Sequence, residues 1–152
     1  MTEDQTLGFI GLGKMGRPML QRLIDSGRKV VIYDTNCDAL DAAVALGGIR
    51  AESVLDVAHR AQIIMLSLPS PDIVKAVVTS EKGLINGDRV KTIIDFSTIG
   101  TRAAKFIDDL AKKREGQKSF TERPIVMFSV KTFMAELKRF RKHFAGKAVK
   151  VV

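Results

Sequence analysis

Leu7-Gly-Phe-Ile-Gly-Leu-Gly-Lys-Met-Gly16 is the most informative segment of this sequence. Residues 7–11 form a short apolar run that ends in glycine, which is typical of a buried strand. From residue 14 to residue 24 apolar side chains recur every three or four positions, which predicts a helix that stops near Gly27. The pattern GxGxxG therefore lies between a strand and a helix, the place where a phosphate-binding loop is expected.

Strands continue to alternate with helices after this segment. Apolar and β-branched runs predict strands at residues 29–34, 49–51, 62–68 and 90–96. Helices are predicted around residues 40–46, 54–58, 72–78 and 101–113. This alternation predicts an α/β protein with a Rossmann-type, doubly wound parallel sheet, in which ligands bind at the carboxyl ends of the strands.

Each glycine of the motif has a predicted task. Gly11 permits a tight turn, Gly13 lets the backbone approach a pyrophosphate, and Gly16 allows the helix to pack closely on the strand. The helix N-terminus offers free N–H groups and a partial positive charge to phosphates. The alternative is a glycine-rich loop in an unrelated α/β fold.

Asp34, at the end of the second strand, strengthens the dinucleotide interpretation. A carboxylate there accepts hydrogen bonds from the ribose hydroxyls of adenosine and repels a 2′-phosphate. Neither Thr35 nor Asn36 supplies a cation. We therefore expect NAD as the cofactor rather than NADP; in the alternative fold Asp34 is a surface acid.

Composition excludes several classes of protein. The chain has 152 residues, of which 45% are hydrophobic and 28% charged, so wholesale disorder and collagen-like repeats are excluded. With Cys37 as the single cysteine, an internal disulfide and a Cys-cluster zinc site are excluded, and no other metal-ligand spacing is present. The longest apolar run, residues 63–66, is far shorter than the ~20 residues of a membrane helix. The polar start predicts neither a secretory signal nor a transit peptide, so a cytoplasmic protein is expected.

Charge divides the chain into two parts. The net charge is +8, yet residues 1–111 contain 13 basic and 14 acidic residues, while residues 112–152 contain 12 basic and 3 acidic ones. We interpret residues 1–114 as a dinucleotide-binding core and residues 115–152 as a basic strand-helix-strand tail that completes or extends it. In this interpretation the tail's basic helix packs on the sheet with solvated charges, so nucleic acid or a membrane is not the expected partner. The alternative is a non-catalytic NAD-sensing or scaffold module whose tail binds a partner, nucleic acid or membrane.

Four blocks in order resemble the β-hydroxyacid dehydrogenases, which include 3-hydroxyisobutyrate dehydrogenase and the glyoxylate and tartronate semialdehyde reductases. The first is Gly8-Phe-Ile-Gly-Leu-Gly-Lys-Met-Gly-Arg-Pro-Met19. The others are Tyr33-Asp-Thr-Asn36, Leu68-Pro-Ser-Pro71 and Asp95-Phe-Ser-Thr-Ile99, so the resemblance covers about residues 7–114. A rival family, the 6-phosphogluconate dehydrogenases, usually has Asn-Arg-Thr after the second strand, where this chain has Asp34-Thr35-Asn36.

The resemblance implies an NAD-dependent reaction that interconverts a small 3-hydroxy acid and its semialdehyde, and it allows a homo-oligomer. It also implies that Leu68, Pro69 and Thr98 contact the cofactor, with Ser97 as a neighbour. From the residues alone, Pro69 ends a strand and Ser97 with Thr98 caps a helix. The predicted cofactor-binding residues are Phe9, Ile10, Gly11, Leu12, Gly13, Lys14, Met15, Gly16, Asp34, Leu68, Pro69, Ser97 and Thr98.

Departures from the family pattern bear on catalysis. The family's Asp-Ala-Pro-Val-Ser-Gly-Gly segment, which holds the substrate carboxylate, is missing. The family's catalytic lysine lies in a second, all-helical domain, and we expect this chain to be truncated before it. No catalytic residue is therefore assigned: His59 and His143 are interpreted as ordinary helix residues and Cys37 as a packing cysteine. We expect the chain to bind the cofactor and to be weakly active or inactive alone.

Overall fold

A computed structural model describes residues 5–97 and 126–129 of the chain. Within them, six strands alternate with four α-helices and one 3₁₀ turn. The elements are β1 (Leu7–Ile10), α1 (Gly16–Asp25), β2 (Val30–Tyr33), α2 (Cys37–Ala45), β3 (Ile49–Arg50), α3 (Val54–Arg60), β4 (Ile63–Leu66), α4 (Pro71–Thr79), the 3₁₀ turn (Leu84–Asn86), β5 (Thr92–Asp95) and β6 (Val126–Ser129).

All six strands lie in one parallel sheet with the order β3-β2-β1-β4-β5-β6. The chain moves outward from β1 to β3, then returns to the other side of β1 with β4 and continues outward again. The order of the strands therefore reverses between β1 and β4, and a crevice forms at the carboxyl ends of strands at such a point. The predicted Rossmann-type, doubly wound sheet is confirmed.

Helices cover both faces of the sheet because side chains alternate along each strand. On one face Ile64 and Ile93 pack with residues of α3 and α4 in a fully buried cluster. On the opposite face Phe9 and Ile32 pack with residues of α1 and α2. Gly8 lies where a side chain would collide with Val57 of α3, so this glycine lets α3 approach β1.

Short polar side chains start three of the four α-helices. The side chains of Asn36, Ser53 and Ser70 accept hydrogen bonds from backbone N–H groups in the first turns of α2, α3 and α4. Each such cap satisfies one of the N–H groups that a helix start leaves unpaired. Pro71 then occupies the first position of α4, where its missing N–H costs nothing.

The predicted strands and helices of residues 7–97 are all present, with small differences at their ends. Helix α1 begins at Gly16 rather than at residue 14, because residues 11–15 form the loop. Strand β6 lies within the basic tail and pairs with β5. The predicted helix 101–113, the tail helix and its last strand lie outside the described residues. No helix in the described part of the chain has the length and apolar character to cross a membrane.

Candidate functional site: a crevice at the carboxyl edge of the sheet

The loop between β1 and α1 depends on two glycines that could not carry a side chain. Gly11 has a φ of 97°, in the left-handed region that favours glycine, and a Cβ there would overlap the Ser67 carbonyl oxygen. At Gly16 a Cβ would overlap the carbonyl oxygen of Gly11. The loop is thus held against the end of β4 on one side and the start of α1 on the other.

Gly13 differs from both neighbours in the motif. It is exposed, its φ is not positive, and a Cβ built on it would meet no atom within 4 Å. Nothing in the described protein therefore requires glycine at this position. An unhindered backbone at the tip of such a loop is suited to the close approach of a phosphate group.

Asp34 connects the end of β2 to the glycine loop. Its Oδ2 accepts a hydrogen bond from the backbone N–H of Leu12 at 2.6 Å, and its Oδ1 accepts one from the backbone N–H of Asn36 at 2.8 Å. A carboxylate has about four lone-pair sites. The half-buried Asp34 can therefore hold the loop and still accept hydrogen bonds from a ligand.

The N-terminus of α1 is built differently from those of α2, α3 and α4. Its N-cap residue, Met15, makes no side-chain hydrogen bond, and its first turn contains no acidic residue. The exposed cations Lys14 and Arg17 flank it instead. Cations are unfavourable at the positive end of a helix dipole, so Lys14 and Arg17 destabilise the start of the free helix. An anionic ligand bound there would offset this unfavourable interaction.

The loops after β4 and β5 form the other side of the crevice. Ser67 donates its backbone N–H to the Ile10 carbonyl at 2.9 Å, which extends the sheet by one bond beyond β4. The backbone N–H of Leu68 donates to Ser97 Oγ at 2.8 Å. Pro69 follows as an exposed residue before α4.

Asp95, at the end of β5, has a buried carboxyl group and was not among the site residues predicted from the sequence. It is 0% exposed, and its Oδ1 accepts a hydrogen bond from the backbone N–H of Ser97 at 2.8 Å. Among the described residues its Oδ2 has no hydrogen-bond partner. Burial raises the pKa of Asp95, while hydrogen bonds from the hydroxyl and backbone of Ser97 lower it in part.

Most of the predicted cofactor-binding residues lie at this edge of the sheet, in different environments. Gly13, Lys14, Met15 and Pro69 are exposed, with Met15 at 74%. The side chains of Phe9, Ile10 and Leu12 are buried in the core, so these residues present only backbone atoms to the crevice. Thr98 lies outside the described residues.

His59 and Cys37 lie in different parts of the fold. His59 is near the end of α3, at the amino edge of the sheet, and its Nδ1 pairs with Asp88 Oδ2 at 2.7 Å. Cys37 is an exposed residue at the start of α2. His143 lies outside the described residues.

Residues 6–125 match the family model described as the NAD binding domain of 6-phosphogluconate dehydrogenase. The chain belongs to this family of NAD-binding domains. Its relatives include a probable mitochondrial 3-hydroxyisobutyrate dehydrogenase of Arabidopsis thaliana, 33% identical over 132 residues, which are 81% of this chain and 37% of the relative. The 3-sulfolactaldehyde reductase of Escherichia coli is 34% identical over 109 residues, 70% of this chain and 37% of the relative. These relatives identify the chain as an N-terminal domain of the β-hydroxyacid dehydrogenase family.

The rival family is also represented among the relatives. An NAD(+)-dependent, decarboxylating 6-phosphogluconate dehydrogenase of Haloferax volcanii is 38% identical over 87 residues, 55% of this chain and 29% of the relative. The two families therefore share this NAD-binding domain. In each of these three relatives the chain spans well under half of the length.

Solved structures show the same fold. The 3-hydroxyisobutyrate dehydrogenase of Mycobacterium tuberculosis has a TM-score of 0.66 and 24% identity, over 82% of this chain and 39% of that one. An imine reductase from Myxococcus stipitatus has a TM-score of 0.70 and 18% identity, again over 82% of this chain and 39% of that one, in its complex with NADP+. A variant of that reductase is in complex with NAD+. The fold thus occurs with both cofactors, and it does not distinguish between them.

Proposed function

We propose that this chain binds NAD in the crevice at the carboxyl edge of its sheet, as the cofactor-binding domain of a 3-hydroxyacid dehydrogenase. The observation that carries the proposal is the bond between Asp34 Oδ2 and the Leu12 N–H. It brings a carboxylate suited to ribose next to a loop suited to pyrophosphate, at the point where the order of the strands reverses.

The residues present fit a dinucleotide. Gly13 leaves open space at the loop tip, and the start of α1 offers backbone N–H groups without a competing side-chain cap. Lys14 and Arg17 add positive charge beside them. Bound NAD would supply a nicotinamide that accepts or donates hydride, while the protein's part is to bind and orient it.

Asp34 supports NAD over NADP. Its two oxygens accept hydrogen bonds from the backbone N–H groups of Leu12 and Asn36, which hold the carboxylate beside the glycine loop. A 2′-phosphate on the adenosine ribose would place negative charge against this carboxylate. Thr35 and Asn36, which follow it, provide no compensating cation.

The reaction of the complete enzyme would be the NAD-dependent interconversion of a small 3-hydroxy acid and its semialdehyde. We propose that the 152 residues alone bind the cofactor with weak or no turnover, because the family resemblance places the catalytic lysine in a second domain. Cytoplasmic location and self-association stay predictions from the sequence.

Isothermal titration of the purified chain with NADH and with NADPH tests the choice of cofactor. We expect NADH to bind at least about tenfold more tightly, a difference of about 1.4 kcal/mol. Asp34→Ala should reduce the ratio of the NADH affinity to the NADPH affinity, because it removes the carboxylate that repels the 2′-phosphate. The matched control is Asp38→Ala, which removes a nearby exposed carboxylate in the first turn of α2 and should leave that ratio unchanged.

Three outcomes of these measurements would count against the proposal. If the chain bound neither cofactor, the dinucleotide site would be wrong. Tighter binding of NADPH would show that the choice of NAD is wrong. Robust turnover of 3-hydroxyisobutyrate with NAD by the isolated chain would contradict the expected weak activity.

A further inference from the structure

The loops that follow β4 and β5 are joined by one hydrogen bond between residues 29 positions apart, from the Leu68 backbone N–H to Ser97 Oγ. The two strands are already register partners at Leu66 and Asp95. The extra bond therefore continues the connection past the end of the sheet. It joins the two loops one step beyond the last backbone hydrogen bond between them, in which the Phe96 N–H donates to the Leu66 carbonyl at 2.8 Å.

Asp95 holds the serine that makes this bond. Its Oδ1 accepts the Ser97 backbone N–H, which curls the chain after β5 back toward the strand end. A fully buried carboxyl is costly unless its oxygens are paired, and Oδ2 has no partner among the described residues. Packing alone would be served better by an apolar residue at this position, so the carboxyl points to a task in fixing Ser97.

The position of this pair within the sheet indicates which half of a dinucleotide it would serve. Asp34, at the end of β2, lies on one side of β1, whereas β4 and β5 lie on the other. The glycine loop lies between them at the end of β1, and Leu68 lies beside Gly11. If the adenosine ribose is at Asp34 and the pyrophosphate at the glycine loop, the nicotinamide half extends over β4 and β5.

We propose that Asp95 and Ser97 are positioning residues that hold the Leu68 loop against the β5 loop and so form the wall for the nicotinamide half of the cofactor. This inference rests on the proposed function. Asp95 orients Ser97 through the backbone, and Ser97 orients Leu68 through its hydroxyl. Neither role requires direct contact with the reacting atoms.

A comparison of NADH with ADP-ribose, which lacks the nicotinamide riboside, separates positioning from general damage to the fold. We expect Ser97→Ala to reduce the affinity for NADH about fivefold, which is the effect of one lost hydrogen bond. The affinity for ADP-ribose should change by less than about twofold. Ser97→Thr retains the hydroxyl and should restore NADH binding. Ser53→Ala, which removes a cap hydroxyl on α3 far from both loops, should leave both affinities unchanged.

Asp95 is tested with a second pair of variants. Asp95→Asn retains an oxygen that can accept the Ser97 N–H, so the ratio of NADH to ADP-ribose affinity should stay near that of the wild type. Asp95→Leu cannot accept this bond and should lower the ratio. Should Asp95→Leu fail to fold, the Ser97 variants still decide the question.

The possible failures are distinguishable. If the wild-type chain binds neither ligand, both the proposed dinucleotide site and this inference are wrong. Wild-type chain that binds NADH and ADP-ribose equally well overturns the inference alone. The inference is also overturned if Ser97→Ala reduces the affinity for both ligands equally or for neither. It is likewise overturned if Ser97→Thr does not restore the affinity for NADH.

Discussion

The three glycines of one motif are needed for different physical reasons. At Gly11 and Gly16 a methyl group would overlap backbone oxygens of the protein itself. At Gly13 it would enter open space at the tip of the loop. The first two glycines therefore serve the fold, whereas the third meets no such constraint in the described protein, and we assign it to the proposed ligand.

Gly13→Ala should separate stability from binding. The substitution meets no protein atom, and alanine reduces the entropy of the unfolded chain, so the free energy of unfolding should stay constant or rise by up to about 1 kcal/mol. The affinity for NADH should fall by about tenfold or more, because the methyl group would occupy the space of the pyrophosphate. Urea unfolding and isothermal titration measure the two quantities.

Gly16→Ala is the matched control for that variant. Because its methyl group would press on the Gly11 carbonyl, it should cost about 1–3 kcal/mol of stability in the absence of any ligand. If Gly13→Ala were as destabilising as Gly16→Ala, or left NADH binding intact, the assignment of Gly13 to the ligand would be wrong.

Among the helices, α1 is the exception at its start. Helices α2, α3 and α4 each have a side-chain cap and an aspartate in the first turn, whereas α1 has neither. These caps and charges stabilise a helix start by satisfying N–H groups and the dipole. Helix α1 lacks this cap and this acidic residue, so the N–H groups at its start are available to an anion.

Arg17→Glu should therefore stabilise the free chain and weaken its binding of NADH. An acidic side chain in the first turn of α1 interacts favourably with the helix dipole and should add about 0.3–1 kcal/mol to the free energy of unfolding. The same acid would repel the pyrophosphate, and we expect the affinity for NADH to fall by about tenfold. Thermal unfolding and titration with NADH give the two values.

Arg22→Glu provides the opposite control on the same helix. Arg22 lies in the last turn, where a cation is favourable, so its replacement should reduce stability and leave NADH binding unchanged. An equal loss of affinity in both variants would indicate a general effect of net charge, and the role assigned to the start of α1 would then fail.

For the whole molecule, the buried Asp95 makes the free energy of unfolding depend on pH. Because burial raises the pKa of Asp95, the folded state binds this proton more tightly than the unfolded state does. The resulting stabilisation is present in full below the unfolded value near 3.8 and is lost as pH rises through the folded pKa.

Comparison of wild type with Asp95→Asn isolates that contribution. The free energy of unfolding of the wild type minus that of the variant should decrease as pH rises from about 4 and then level off. Urea unfolding at a series of pH values measures it, and contributions from the other titrating groups cancel in the difference. A difference that increases with pH would contradict the raised pKa.

The charge of the molecule is concentrated in a region of which the structure describes only β6. Residues 112–152 carry 12 of the 25 basic residues, and residues 126–129 of that region form the strand at one edge of the described sheet. Binding of a partner by this tail is therefore still a prediction, as is the absence of such binding. Within the sheet, the parallel pairing of β6 with β5 shows that the tail adds a strand to it.

Local patterns were sufficient to predict the elements and much of the crevice. The apolar run before Gly11, the spacing in α1 and the proline after Leu68 each act within a few residues, so their effects can be recognised in the sequence. The parallel sheet followed from the alternation of such elements. The proposed contact of Asp34 with ribose was likewise predicted from the place of this residue after β2.

The contacts that complete the crevice depend on how distant parts of the chain pack. Leu12 and Asp34 are 22 positions apart, and Leu68 and Ser97 are 29 apart. No local periodicity or propensity encodes which backbone N–H reaches which oxygen over such separations. The burial of Asp95 and the open space beside Gly13 likewise exist only once the strands and helices have packed, because both are properties of the surrounding atoms. The sequence thus specified the strands, the helices and the glycine loop, whereas packing of the sheet determined which groups meet at its edge.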